Sequence, residues 1–240
     1  MAEVDLYDSA AVRGLFDRMS RSYERMNIVM SFGFSVRWRR RMMRLLPDSA
    51  GRRTVLDAMT GMGETWAEVL RAIPDADPVA LDFSPRMIEH AATRNRDRFG
   101  GRFRLLCQDV LDNDLPDGAS DVVVSAYGVK TFDEAQSRRF ADELARVLRP
   151  GGAFSFVEVT EPPNRLLRAL YDFYLSRVVP VVGVVLVSDP VEYRMLHRYL
   201  RAYGDGSRTS AALAGHPQLR TSRRLLFFGC ATSWTGIRLP

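Results

Sequence analysis

Lysine is almost missing from these 240 residues: Lys130 is the only one, and every other cationic side chain of the Lys/Arg type is arginine. The formal net charge of +5 therefore reads as coding composition rather than selection for a polyanion. Its densest run, Arg37 to Arg44, is interleaved with Trp38, Met42 and Met43 and predicts a solvated helix face, so charge assigns no nucleic-acid partner. Cysteine is also scarce. Cys107 and Cys230 lie far apart without metal-ligand neighbours, which argues against a disulfide framework or metal site and predicts two buried thiols in a reducing compartment. No apolar run approaches the roughly 20 residues of a membrane helix. The run Val178 to Val187 is too short to span a bilayer and leaves three readings open: buried core, cover for an apolar substrate, or a membrane-facing segment. Met1 to Asp8 lacks the basic-then-apolar order of a signal peptide, so the expected location is cytoplasmic. Repeats and low-complexity tracts are absent too, and one domain is expected.

What is present is a change of period along the chain. Val12 to Met30 and Val36 to Leu46 carry apolar residues at helical spacing. From Thr54 onward, β-branched runs alternate with helical stretches. Thr54 to Met59, Pro78 to Phe83, Phe103 to Gln108, Val122 to Tyr127 and Ala153 to Val159 read as strands; Thr65 to Ile73, Pro85 to Phe99 and Glu134 to Leu148 read as helices. This order predicts an α/β, Rossmann-like fold with a mostly parallel central sheet, helices on both faces and an N-terminal helical lid. Ser84-Pro85 offers a helix start, and Pro150-Gly151-Gly152 closes the helix before the fifth strand. Further helices are expected over Arg165 to Val178 and from Asp189-Pro190 to Tyr203, then a loop at Gly204 to Ser207 and two antiparallel strands within Leu219 to Arg238. The expected partition is 1–50 as helical cap, 51–160 as cofactor-binding core and 161–240 as substrate-side helices and terminal strands.

The first strand runs into Val55-Leu56-Asp57-Ala58-Met59-Thr60-Gly61-Met62-Gly63. Gly61 and Gly63 permit a tight turn and close approach of a ligand, and Asp82, at the end of the next strand, suits ribose hydroxyls. A dinucleotide site wants a third glycine and an anion on the helix start, yet Trp66 stands there and Glu64 precedes it. A carboxylate-lined turn repels phosphate and favours S-adenosylmethionine, whose sulfur and amino group are cationic. Gln108-Asp109-Val110 follows the third strand, where a carboxylate suits the adenine amino group. A nicotinamide-dependent oxidoreductase is disfavoured by the same Glu64 and Trp66.

These residues resemble the class I S-adenosylmethionine-dependent methyltransferases and, within them, the ubiquinone and menaquinone biosynthesis C-methyltransferase family. The likeness rests on Phe16 to Asn27, Met30-Ser31-Phe32-Gly33, Trp38-Arg39, Leu148 to Gly152, Tyr171-Asp172 with Tyr174, Pro180, and Tyr193-Arg194 with Leu196, and spans about Val12 to Gly229. It implies that Asp57, Gly61 and Gly63 line the cofactor's methionine end, Asp82 its ribose, and Asp109 with Val110 its adenine. This chain departs from the family where Met59 replaces a small residue, where Thr60 replaces a glycine, and where Tyr127-Gly128-Val129-Lys130-Thr131 replaces F-G-x-R-N.

Methyl transfer from sulfonium is an in-line displacement, so positioning matters more than a covalent enzyme group. Methylation at a ring carbon also needs an electron-rich acceptor, and Tyr23, Tyr193 and His197 are the candidate bases. The expected substrate is a small apolar molecule, aromatic or polycyclic, with a homodimer left open. Three alternatives stay open: O- or N-methylation, a cyclisation or rearrangement with the cofactor retained, and a non-enzymatic binding module.

Overall fold

The computed structural model describes residues 7–19, 28, 31–47, 51, 53–179 and 191–240. Seven strands form one sheet in the order β3-β2-β1-β4-β5-β7-β6. They are β1 (Arg53–Ala58), β2 (Ala76–Asp82), β3 (Arg104–Cys107), β4 (Ser120–Ala126), β5 (Leu148–Val159), β6 (Leu219–Leu226) and β7 (Ala231–Arg238). Only β7 runs against the others, pairing antiparallel with both β5 and β6. The described helices are α1 (Ser9–Met19), α2 (Phe34–Met43), α3 (Trp66–Ala72), α4 (Pro85–Phe99), α5 (Glu134–Val147), α6 (Arg165–Phe173), α7 (Val191–Tyr203) and α8 (Ser207–Gly215).

Both sheet faces are covered, which is why the central strands read as continuous apolar runs. Leu56, Val123, Phe154 and Phe156 pack on one side with Phe140 and Leu144 of α5, Leu213 of α8 and Trp234 of β7. Val55, Val122, Val124 and Val157 pack on the other with Trp38 and Met42 of α2 and Val69 of α3. The helix ends follow local chemistry. The Ser84 hydroxyl accepts from the Met87 amide at 3.1 Å with Pro85 in the first turn, and Gly100 closes α4 at φ +60°. Asp133 and Gln136 form a reciprocal capping box at the start of α5.

Several expectations need correction. β5 begins at Leu148, so Pro150-Gly151-Gly152 lies inside an extended strand whose register shifts between Ser120 and Val122 of β4. The Arg165 to Val178 helix becomes a π turn from Tyr174. The Gly204 to Ser207 loop opens α8, a helix absent from the sequence reading. Cys107 is exposed because β3 is an edge strand, while Cys230 is buried as expected. Arg39 is buried rather than solvated, although Arg37 and Arg40 of the same helix are exposed. Most of Val178 to Val187 lies outside the described residues, as does the 20–27 part of the first expected helix.

Strand order reverses between β1 and β4, so the turns that follow these two strands frame the crevice where open α/β sheets take their ligands. At the other end of the sheet, Gly236 of β7 is hemmed in: an added Cβ would lie 2.1 Å from the Arg220 carbonyl oxygen and 2.6 Å from the Phe154 ring. We expect Gly236→Ala to lower unfolding free energy by about 2 kcal/mol or more, since neither backbone nor core ring can move aside cheaply; urea denaturation measures it, and an unchanged midpoint would refute the packing argument.

Candidate functional site

Asp57 sits at the end of β1, 2 % exposed. Its Oδ2 accepts from the Thr60 hydroxyl at 2.6 Å, and Thr60 Oγ1 in turn accepts from Trp66 Nε1 at 2.9 Å. Its Oδ1 is buried without a hydrogen-bond partner. Burial pushes the Asp57 carboxyl up to about 7; repulsion from Glu64 and Asp82 adds to this, and the Thr60 hydrogen bond opposes it. A buried carboxylate oxygen without a partner suits a cationic group. Thr60 is thus more than a bulkier stand-in for glycine: it fixes one Asp57 oxygen and leaves the other unpaired.

Asp82 ties the turn to the neighbouring strand. Its Oδ2 accepts from the Gly61 amide at 2.8 Å and its Oδ1 from the Ser84 amide at 3.0 Å. Burial raises its carboxyl to about 6 against the pull of those two hydrogen bonds. Each oxygen keeps a lone pair for a hydroxyl donor. Asp109 Oδ1 accepts from the Leu111 amide at 2.9 Å, an Asx-type turn that presents Asp109 and Val110 to the same cavity. Gly61, Glu64, Asp82, Asp109 and Val110 all line this cavity, together with Val12 and Phe16 of α1.

Of the expected cofactor residues, Asp57 stands behind Thr60 of the cavity wall and Gly63 does not line the cavity either. An added Cβ at Gly63 would lie 2.5 Å from the Trp66 ring, and its φ is +81°. Trp66 is fully buried and stacks on Phe103 with ring centroids 4.1 Å apart. The second glycine of the turn therefore makes room for an indole, and the indole occupies the place a third glycine would have left to close helix–strand packing. Glu64 lies before the helix begins at Trp66, with Oε2 accepting from the Met62 amide at 3.1 Å.

Across the switch point stands Tyr127, at φ +68° after β4, opposite Met59 at φ +57° after β1. Bulky residues rarely hold this conformation, and the strain, on the order of 1–3 kcal/mol each, is characteristic of functional positions. The Tyr127 hydroxyl donates to the Ser35 carbonyl of α2 at 2.7 Å, and the Arg39 guanidinium lies 5.9 Å from its ring centroid. Met59 packs on Gly128, where an added Cβ would meet its sulfur at 2.6 Å.

Tyr127 also walls a second cavity of about 400 Å³, lined mainly by apolar and aromatic side chains including Phe34, Trp38, Tyr171 and Tyr174. Two of its polar side chains are held by partners. Lys130, the lone lysine, is buried; its Nζ lies 3.3 Å from Glu158 Oε1 and donates to the Tyr127 carbonyl. Burial raises the Glu158 carboxyl, and the Lys130 charge opposes that rise. His197 Nε2 lies 3.0 Å from Asp172 Oδ1. Burial drives the Tyr171 phenol far above its ordinary value. Of the three expected bases, His197 lines this cavity, whereas Tyr23 and the Tyr193 side chain lie outside the described residues. Sequence reasoning missed Tyr127 and Arg39 as site residues; Arg39 had a signal in the Trp38-Arg39 pair, and Tyr127 stood in the segment that departs from the family.

The profile of the ubiE/COQ5 methyltransferase family matches residues 4–232. The demethylmenaquinone methyltransferase of Thermus thermophilus is 33% identical over 224 residues, covering 93% of this chain and 100% of that one. The ubiquinone/menaquinone biosynthesis C-methyltransferase of Geobacter sulfurreducens is 32% identical over 232 residues, covering 94% and 87%. A solved S-adenosylmethionine-dependent methyltransferase from Aquifex aeolicus shares the fold at TM-score 0.54 and 16% identity, covering 78% of this chain and 82% of that one. Fold, site and relatives together define an S-adenosylmethionine-dependent methyltransferase with a Rossmann-like sheet. Within that class, the chain belongs to the ubiE/COQ5 methyltransferase family.

The raised carboxyls give a pH test. The unfolded chain releases the Asp57 proton near 3.8, whereas the folded protein holds it to about 7. The native state therefore binds more protons in that window, and this contribution to stability, full below the unfolded value, is lost as pH rises through about 7. We expect Asp57→Asn to raise the melting temperature of the ligand-free protein above pH 7 and to flatten its fall with pH; a variant melting below the parent at every pH would contradict it.

Proposed function

We propose that this enzyme transfers the methyl group of S-adenosylmethionine to a ring carbon of a small apolar aromatic acceptor, a quinone precursor or a related polycyclic metabolite, held in the second cavity. The observation that carries this reading is the shared wall. Tyr127 borders both the carboxylate-lined cavity and the apolar one, so an electrophile in the first and an acceptor in the second meet at the switch point. The names of the Thermus and Geobacter relatives support a quinone precursor.

When bound, the cofactor supplies a methyl group on a cationic sulfur. In this reading the Gly61 backbone borders its methionine end, with the Asp57 carboxylate held behind Thr60 as the charge that favours it, Asp82 takes the ribose hydroxyls, and Asp109 with Val110 takes the adenine. The apolar and aromatic lining of the second cavity aligns the ring, which matters because in-line displacement depends on orientation. His197 withdraws a proton from the acceptor hydroxyl. The Asp172 carboxylate beside Nε2 favours the tautomer protonated there, which leaves Nδ1 as acceptor. Tyr171 is unsuited to this work, because a phenol raised so far does not ionise near neutral pH. Lys130, already paired with Glu158, brings a cation to the acceptor side without net charge and stands where the family carries arginine.

The direct test is incubation with S-adenosylmethionine and reduced benzoquinones and naphthoquinones that lack a ring methyl, read by mass spectrometry and proton NMR. Gain of one methylene unit as a ring methyl is expected; a methoxy product, or no S-adenosylhomocysteine with any acceptor, would overturn the reading. Asp82→Ala should weaken cofactor binding by about tenfold or more, because it also frees two backbone amides that the carboxylate holds. His197→Gln should lower kcat while leaving cofactor affinity intact; equal loss of both would make it a structural residue.

A further inference from the structure

The mouth of the apolar cavity is edged by hydrophobic side chains that face solvent. Phe32 is 75 % exposed, Leu166 72 % and Phe228 78 %, and Leu170, Phe173 and Phe227 are exposed beside them. Phe32, Leu170 and Phe227 line the cavity itself, so the patch is continuous with its interior. Contact carries it round the rim: Phe32 lies 5.4 Å from Tyr174, Phe34 4.2 Å from Phe227, and Phe227 5.6 Å from Phe228, by ring centroids. On α6, Leu167, Leu170 and Tyr171 line the cavity, and Leu170, at its edge, continues with Leu166 and Phe173, spaced by four and three, as an exposed apolar stripe.

Two further observations argue that this exposure has a use. Phe32, Phe227 and Phe228 all hold left-handed backbone, at φ +48°, +44° and +56°. Aromatic residues there are strained, and folding alone gives no reason to combine strain with exposed apolar surface. The surrounding charge is also predominantly cationic, although Arg40 pairs with Glu68, Arg223 with Asp205, and Glu161 with Arg168 and Arg201. Segments 31–47 and 219–240, which supply Phe32 and the Phe227–Phe228 pair, contain arginines and no Asp or Glu. In 162–179 the one acidic residue, Asp172, is engaged by His197 and Arg201. Exposed Arg165 and Arg177 flank the α6 stripe, and the Arg37 guanidinium lies 5.7 Å from the Phe34 ring centroid.

We infer that this face docks on an anionic lipid bilayer, with the phenylalanines and the α6 stripe in the headgroup–acyl boundary and the arginines on the lipid phosphates, so that the cavity opens toward the membrane interior. Apolar side chains ringed by arginine are the composition of an interfacial surface. This extends the acceptor assignment, because an apolar acceptor dissolved in the bilayer would reach the cavity without crossing water, but the docking itself is measured without turnover.

The test is co-sedimentation of the full chain with phosphatidylcholine vesicles, with and without phosphatidylglycerol, alongside calorimetry of S-adenosylmethionine binding. The variant is Phe173→Gln with Phe228→Asn, since asparagine tolerates left-handed backbone. We expect binding to the phosphatidylglycerol vesicles that falls with added salt, and a loss of about tenfold or more in the double variant at unchanged cofactor affinity. The inference is overturned if the parent stays in the supernatant, if the double variant binds as the parent does, or if sedimentation velocity shows a parent dimer that the variant splits, which would assign the face to a second copy. Absence of cofactor binding or turnover alongside intact vesicle binding would instead refute the proposed function and leave the docking standing.

Discussion

A carboxylate buried with one oxygen satisfied and the other unpaired organises this molecule. Asp57 is placed by β1, steadied on one side by Thr60, and Thr60 is itself held by the indole of Trp66. Without a cationic group nearby, such a carboxyl stays protonated up to about 7. The ligand-free fold therefore carries a local cost of burial at this carboxyl. That cost explains the crowding around the turn: Trp66 must be immobile to hold Thr60, Gly63 must lack a side chain to admit Trp66, and Phe103 must back the ring.

The opposite side of the crevice obeys a different constraint. Tyr127 is anchored from both ends, its amide donating to the Val157 carbonyl and its hydroxyl to that of Ser35. The ring thereby stands between the carboxylate-bearing cavity and the second, apolar one, and α2 is tied to the end of β4. Lys130 stands on the same segment and donates to the Tyr127 carbonyl, which ties its cation to the partition.

Much of this was legible in the residue order. The Ser84-Pro85 start of α4, the strand runs, and the carboxylates at the ends of β1 and β2 follow local rules, and local rules are what a sequence displays. Gly61 and Gly63 show the limit. Both are glycines with positive φ, but only the packed position of Trp66 reveals that Gly63 makes room for an indole while Gly61 borders the cavity. Tyr127 was hidden because its meaning depends on Ser35, and Lys130 because its meaning depends on Glu158; both partners are distant in the chain. Helix α8 was masked by Gly204 and Gly206, which read as a loop although Gly206, at φ +79°, stands at the helix start.

The position of β7 bears on how the sheet holds together. It is the last strand in sequence, yet it lies between β5 and β6 and supplies hydrogen bonds to both. Without β7, β5 would end the parallel sheet with an open edge and β6 would have no strand beside it. The two last strands therefore join the sheet as one hairpin through β7, so any change that strips β7 from β5 removes β6 with it and bares an edge of the kind that invites pairing with other chains.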